Sequence, residues 1–271
     1  MSILGRIRHY AAPNADNARL YDVEAAIEEV GLYRRNGGGT IVELTSLGIA
    51  RDAKGLAQVA RATGVNVVMG ASYYIAVTHP ADMEERSEEQ IAREIITDIT
   101  EGVGGTGIKS GIIGEVGVST PWNESEHKTV QAAVIAQIQT GAPVLIHPGR
   151  DEELPLQILE AIEGWGGDMS NTVMGHIERT IYDRDALKRV AQTGAFLNLD
   201  LFGHDSSYYP LAPSSYMPND AQRLDQIGQV LVLAQELCAD PRPGFLGMDR
   251  EGWFRRLVNR PEALLQRLVL L

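Results

Sequence analysis

"PVLIHPGR", residues 143–150, is a run of apolar, strand-like chain that arrives at His147 and is then broken by Pro148 and Gly149. A histidine closing a buried strand needs a reason, and the same pattern recurs. "GIIGEVG" (111–117) carries an apolar run to Glu115, "NTVMGHIERT" (171–180) carries one to His176, and "GFLGMD" (244–249) carries one to Asp249. Imidazole and carboxylate are the groups that bind metal ions or move protons near neutral pH. In α/β proteins the carboxyl ends of strands are where ligands bind.

Around these positions the chain alternates. Short β-branched runs are each followed by a stretch of helical period, the mark of βαβ units and a parallel sheet. Strands read at 39–45, 65–72, 110–117, 142–148, 171–177, 195–201 and 244–249, and helices at 52–63, 87–103, 124–141, 154–166, 183–194, 219–238 and 260–271. Ser87 with Gln90 has the capping-box spacing, and Gly141 supplies a helix stop. "NGGGT" (36–40) runs from a helix end into a strand, so it reads as a stop and turn rather than a phosphate cradle. Residues at the ends of several different strands converge in a barrel and spread along an edge in an open sheet. The expected fold is therefore α/β, a (β/α)8 TIM barrel in a single domain spanning residues 1–271, with one strand fewer than eight legible.

Composition narrows the function classes. The 24 Lys and Arg against 36 Asp and Glu give a net charge of −12, which argues against a nucleic-acid partner, since that needs a basic face. No apolar run reaches the ~18 residues of a membrane span, and "MSILGRIRHY" is too short and charged for a signal peptide, so the expected compartment is cytoplasmic. Cys238, the single cysteine, excludes a disulfide within the chain and reads as an inert helix-packed residue.

Each strand-end residue has a bland reading. A lone histidine is usually structural or solvated, and Asp249 alone serves as a cap. Glu115 inside a strongly apolar run is harder to dismiss, because a buried carboxylate needs a partner. Together the four form a donor set for Zn2+ or a similar divalent ion. His9, His79, His127 and His204 lie outside this pattern and read as solvated.

"NGGGTIVELTSLGIARD", "GIIGEVG", "VLIHPGR", "VMGHIERT" and "LGMD" together resemble the phosphotriesterase-like branch of the amidohydrolase superfamily, from about Asp22 to Asp249. The resemblance implies a (β/α)8 barrel holding two divalent metals, usually zinc, and hydrolysis of a small lactone, carboxylic ester or phosphotriester by a metal-activated water. It implies that Glu115 bridges the metals, in place of the carbamylated lysine of other members, and that His147 and His176 hold the more exposed one. It makes Asp249 a ligand of the buried metal and the catalytic proton shuttle. Tyr73 and Tyr74 become candidates for lining the substrate pocket, with Arg179 as their neighbour.

The family's first strand ends in a His-x-His pair, and no two histidines here stand two residues apart. The first strand is thus expected to be missing and the barrel incomplete. The exposed metal keeps three ligands, whereas the buried one keeps Glu115 and Asp249, so one or two divalent ions per chain are expected. An unpaired barrel edge favours self-association into a homodimer. The alternative is a catalytically impaired or non-catalytic truncated barrel with residual metal binding.

Overall fold

The computed structural model describes residues 22–203, 208–209 and 212–239. Asp249, the strand expected at 244–249, the helix expected at 260–271, His9 and His204 lie outside the described residues, as does the stretch where a first strand was sought.

Six parallel strands form one sheet: β1 (Thr40–Glu43), β2 (Asn66–Ala71), β3 (Ile112–Gly117), β4 (Val144–His147), β5 (Thr172–Met174) and β6 (Phe196–Leu197). Helix α1 (Val23–Arg35) precedes β1, and α2 (Ala53–Thr63), α3 (Glu88–Thr100), α4 (Glu124–Thr140) and α5 (Leu154–Gly164) are the successive crossovers. Between β5 and β6 lie α6 (Ile177–Thr180) and α7 (Arg184–Gln192). The short α6 was not anticipated. An antiparallel hairpin, β7 (Tyr208–Tyr209) with β8 (Ala212–Tyr216), leads into α8 (Asp220–Ala239).

The spatial order of the sheet is its chain order, with no reversal. A doubly wound sheet reverses at its switch point. A sheet wound one way by right-handed crossovers carries all its helices on one face, which is the winding of a barrel. The core divides accordingly. Ile113, Val116, Val144, Ile146 and Met174 pack with the helices, while Ile112, Leu145 and Val173 form a second cluster with Val42, Leu44, Val68 and Phe196 on the other face. That second face is the barrel interior, and alternation along each strand decides which residues reach it.

His147 follows Leu145 by two residues and faces inward by simple alternation. Glu115 does not: with Ile113 on the helix side, a regular strand would send Glu115 there too. The β3–β4 register steps from Ile113↔Val144 to Val116↔Ile146, three residues against two. One extra residue is thus accommodated, as in a β-bulge, and the phase of β3 flips. The displaced backbone crosses Gly70, where a Cβ would lie 2.1 Å from the Gly114 carbonyl oxygen, and Glu115 N–H reaches the Leu44 carbonyl at 3.1 Å.

Local signals account for the helix ends. Ser87 and Gln90 form the expected reciprocal cap of α3, and Gly141 closes α4 in the left-handed conformation. Asp52 caps α2 through the Lys54 and Gly55 amides. Among the described residues, no helix is long and apolar enough to cross a membrane.

Candidate metal centre

Glu115, His147 and His176 meet at the carboxyl ends of β3, β4 and β5, with one donor atom from each within 4.8 Å of the others. Glu115 Oε2 lies 3.1 Å from His147 Nδ1, Glu115 Oε1 lies 2.8 Å from His176 Nε2, and the two ring nitrogens are 2.8 Å apart. His176 stands just past β5 in the left-handed region, at φ 54°, and this turn directs its ring at the other two.

The outer nitrogen of each ring is also engaged. His176 Nδ1 lies 2.8 Å from Asp200 Oδ1, and Asn198 Nδ2 donates to Asp200 Oδ2 at 2.9 Å. His147 Nε2 lies 3.1 Å from Tyr74 Oη and 3.4 Å from Arg179 Nη2. Metal-binding histidines characteristically use one ring nitrogen for the ion and hand the other to a carboxylate or similar partner, which fixes the tautomer. The donor set and its supports thus fit a divalent ion held by Glu115 and the facing nitrogens of His147 and His176.

The electrostatics of the cluster differ between its members. Burial pushes His147 down to about 4 despite Glu115, leaving a neutral ring at pH 7. Burial also opposes ionisation of Glu115, yet hydrogen bonds from His147 and His176 hold its carboxyl well below the usual range. For His176, burial acts downward, but hydrogen bonds to Asp200 and Glu115 raise it above its ordinary value. Metal binding requires an ionised carboxylate and neutral rings, the states in which Glu115 and His147 are held, whereas an incoming ion would have to displace a proton from His176.

The other residues singled out in the sequence fall on both sides of this boundary. Tyr74 and buried Arg179 are brought to His147. Tyr73 is not: it belongs to the helix-side core, 3% exposed, with its hydroxyl bonded to Glu94 and Arg86. Adjacent residues of an extended chain point to opposite faces, so one tyrosine of the pair is turned away. Read as solvated, His79 is instead partly buried and bonded at both nitrogens, to the Tyr74 carbonyl (2.8 Å) and Ser125 Oγ (3.0 Å). His127 stacks on Trp122, away from the cluster, with ring centroids 3.6 Å apart.

Asp200 was missed, although "AFLNLDL" contains its signal. Asn198 and Asp200 interrupt an apolar strand at a spacing of two, which places both on one face. A cavity of 810 Å3 beside α3, lined by Arg51, Arg86, Glu94 and Asp98 among others, includes none of the cluster residues. Its charges are already paired, buried Arg51 with Asp98 at 2.7 Å and the more exposed Arg86 with Glu94 at 3.0 Å.

The sequence pattern of the Phosphotriesterase family matches residues 1–237. N-acetyltaurine hydrolase of Homo sapiens is 42% identical over 235 residues, 86% of this chain and 66% of that protein. The chain therefore spans just under two thirds of that relative's length. The crystal structure of a resiniferatoxin-binding protein from Rhodobacter sphaeroides aligns with a TM-score of 0.80 and 31% identity, over 99% of this chain and 78% of that one. A lactonase from Listeria monocytogenes has a TM-score of 0.69 at 22% identity, over 84% of this chain and 70% of its own, a likeness of fold.

Proposed function

The chain belongs to the phosphotriesterase family, and from that premise we propose that it is a metal-dependent hydrolase of carboxylic acyl bonds. The observation that carries this reading is the convergence of Glu115, His147 and His176, with each histidine engaged by a further side chain at its outer nitrogen. The expectation from sequence was an ester-type bond. The human relative's name, N-acetyltaurine hydrolase, specifies an amide, so the proposed class covers amides beside esters and lactones.

A bound divalent ion, with Zn2+ proposed, supplies Lewis acidity: it polarises the scissile carbonyl and lowers the pKa of a water molecule to near neutrality. The chain's own residues do the rest. Glu115 contributes the negative charge that neutralises the ion, and His147 and His176 contribute uncharged donors through Nδ1 and Nε2. Asp200 holds the His176 ring in the tautomer that leaves Nε2 free. Arg179, on the one-turn helix α6, presents a cation beside the cluster and suits a substrate with a carboxylate or sulfonate near the acyl group. Tyr74 stands beside the His147 ring, its hydroxyl 3.1 Å from Nε2 and 3.5 Å from Nδ1. Asp249 is the proposed proton shuttle and further ligand.

The test begins with elemental analysis after dialysis against metal-free buffer. One or two divalent ions per chain are expected in the wild type, none in His147→Ala, and the wild-type amount in His127→Ala. Equal metal in both variants would remove the site assignment. The loaded protein is then assayed on N-acetyltaurine, a γ-lactone and an aryl ester, and no turnover of any would leave the alternative of a non-catalytic metal-binding barrel.

A further inference from the structure

One buried carboxylate near the site has no part in the reading above. Glu126, in the first turn of α4, is 0% exposed. Its Oε1 accepts from Ala76 N at 2.8 Å, and its Oε2 accepts from Ser119 N (2.9 Å), Ser119 Oγ (3.0 Å) and Asn123 N (3.1 Å). The Asn123 bond is half of a capping box that closes the start of α4. Capping alone accounts for the Asn123 bond to Oε2, and not for the two bonds from Ser119. It does not account for Oε1, which reaches an amide 50 residues away in sequence.

The two oxygens hold different loops. Ala76 lies in the segment after β2 that carries Tyr74. Ser119 lies in the segment after β3, where the neighbouring Val118 N donates to the His147 carbonyl at 2.9 Å. One carboxylate therefore joins the backbone of Tyr74 to the backbone of His147. His79 grips the same β2 segment a second time, through its contact with the Tyr74 carbonyl. At the end of this chain of contacts, Tyr74 Oη meets His147 Nε2, and the two rings stand edge to face with centroids 4.9 Å apart.

We propose that Glu126 is a positioning residue for His147, acting through Tyr74. The inference rests on the reading of His147 as a metal ligand. The Tyr74 hydroxyl lies 3.1 Å from His147 Nε2 and 3.5 Å from Nδ1, beside the ring and not in line with either N–H, so it fixes the orientation of the ring by contact from one side. Its place is set by the backbone at 74–76, which is held by Glu126. A buried carboxylate with four donors is a rigid anchor, because each donor would otherwise be left unsatisfied.

The test is Zn2+ affinity, by competition with a chromophoric chelator, for wild type, Glu126→Gln, Tyr74→Phe and the double variant. Glutamine preserves the cap through its carbonyl but turns an NH2 group toward the remaining donors. Glu126→Gln is expected to weaken zinc binding by about tenfold, the lower end of what loss of an outer partner does. Tyr74→Phe is expected to lose as much or more, and the double variant to be no weaker than Tyr74→Phe alone. Unchanged affinity in Glu126→Gln, or additive losses in the double variant, overturns the proposal.

If the wild type binds no zinc, the metal-ligand reading fails on its own. The positioning role is then decided by nitrogen-15 NMR of the His147 ring, where Glu126→Gln and Tyr74→Phe must displace the Nε2 signal alike. A signal that Glu126→Gln leaves in place overturns the role. Should Glu126→Gln not fold, Ala76→Pro removes only the amide that Oε1 holds. Ile75, at ψ 158°, already has the backbone that a residue before proline adopts, and the same affinity and NMR outcomes decide. Ser87→Ala, which removes the cap of α3, is the control: its melting temperature falls and its zinc affinity does not.

Discussion

Asp200 Oδ1 lies 2.8 Å from His176 Nδ1, while His176 Nε2 lies 2.8 Å from Glu115. The ring is thus held between two carboxylates, and only one of them belongs to the candidate metal cluster. Asp200→Ala is expected to lower zinc affinity by about 10–100-fold, the usual effect of losing such a partner. Chelator competition measures it, and unchanged affinity would reduce Asp200 to a bystander.

The role proposed for Arg179 is to select substrates that carry an anion. Arg179→Met is expected to raise KM for N-acetyltaurine at least tenfold, about 1.4 kcal/mol, and to leave KM for a neutral lactone within twofold. Parallel loss on both substrates would place Arg179 in support of His147 instead.

The Arg51–Asp98 pair tests stability apart from chemistry. Arg51 is 3% exposed and is held by Asp98 at 2.7 Å and by the Gly70 carbonyl at 3.0 Å. Asp98→Ala leaves a buried cation without its counter-charge, and urea unfolding is expected to show a loss of about 3–5 kcal/mol. Metal content should match the wild type.

Tyr73 predicts an alkaline limit. Burial, and then its hydrogen bond to Glu94, push its phenol above the ordinary value. With the folded pKa raised, the neutral form is favoured in the native state, so this contribution is complete below about pH 10 and is lost as pH rises past the unfolded pKa. Thermal melts between pH 8 and 11 should decline less steeply for Tyr73→Phe than for the wild type. An identical slope would show that Tyr73 titrates normally.

The winding and three cluster residues were legible because both depend on short-range pattern. Apolar runs of β length mark strands, and a polar residue at the end of such a run marks the functional edge. Gly141 and Ser87 announced helix ends for equally local reasons. What escaped depends on phase. Tyr73 and Tyr74 are chemically alike, and only the strand's alternation sends one to the cluster and the other to the helices. Asp200 carried a readable signal, its spacing of two from Asn198. Glu126 carried none, since its second oxygen meets a loop far away in sequence. The helix α6 was hidden because four residues are too few to show a period.

The irregularity in β3 changes what must be preserved for the site to exist. The inward aim of Glu115 depends on a count, three residues of β3 against two of β4, as much as on the glutamate itself. A side chain at Gly114 would work against the bulge, since its Cβ would lie 2.8 Å from the Leu145 carbonyl oxygen, and in an even ladder with every residue kept Glu115 turns into the helix layer and the cluster loses its negative charge. Such a chain would keep every proposed ligand and score as almost unchanged in any residue-by-residue comparison. In this fold, substitutions around the ligands tune the centre, whereas a side chain added at a neighbouring glycine would erase it.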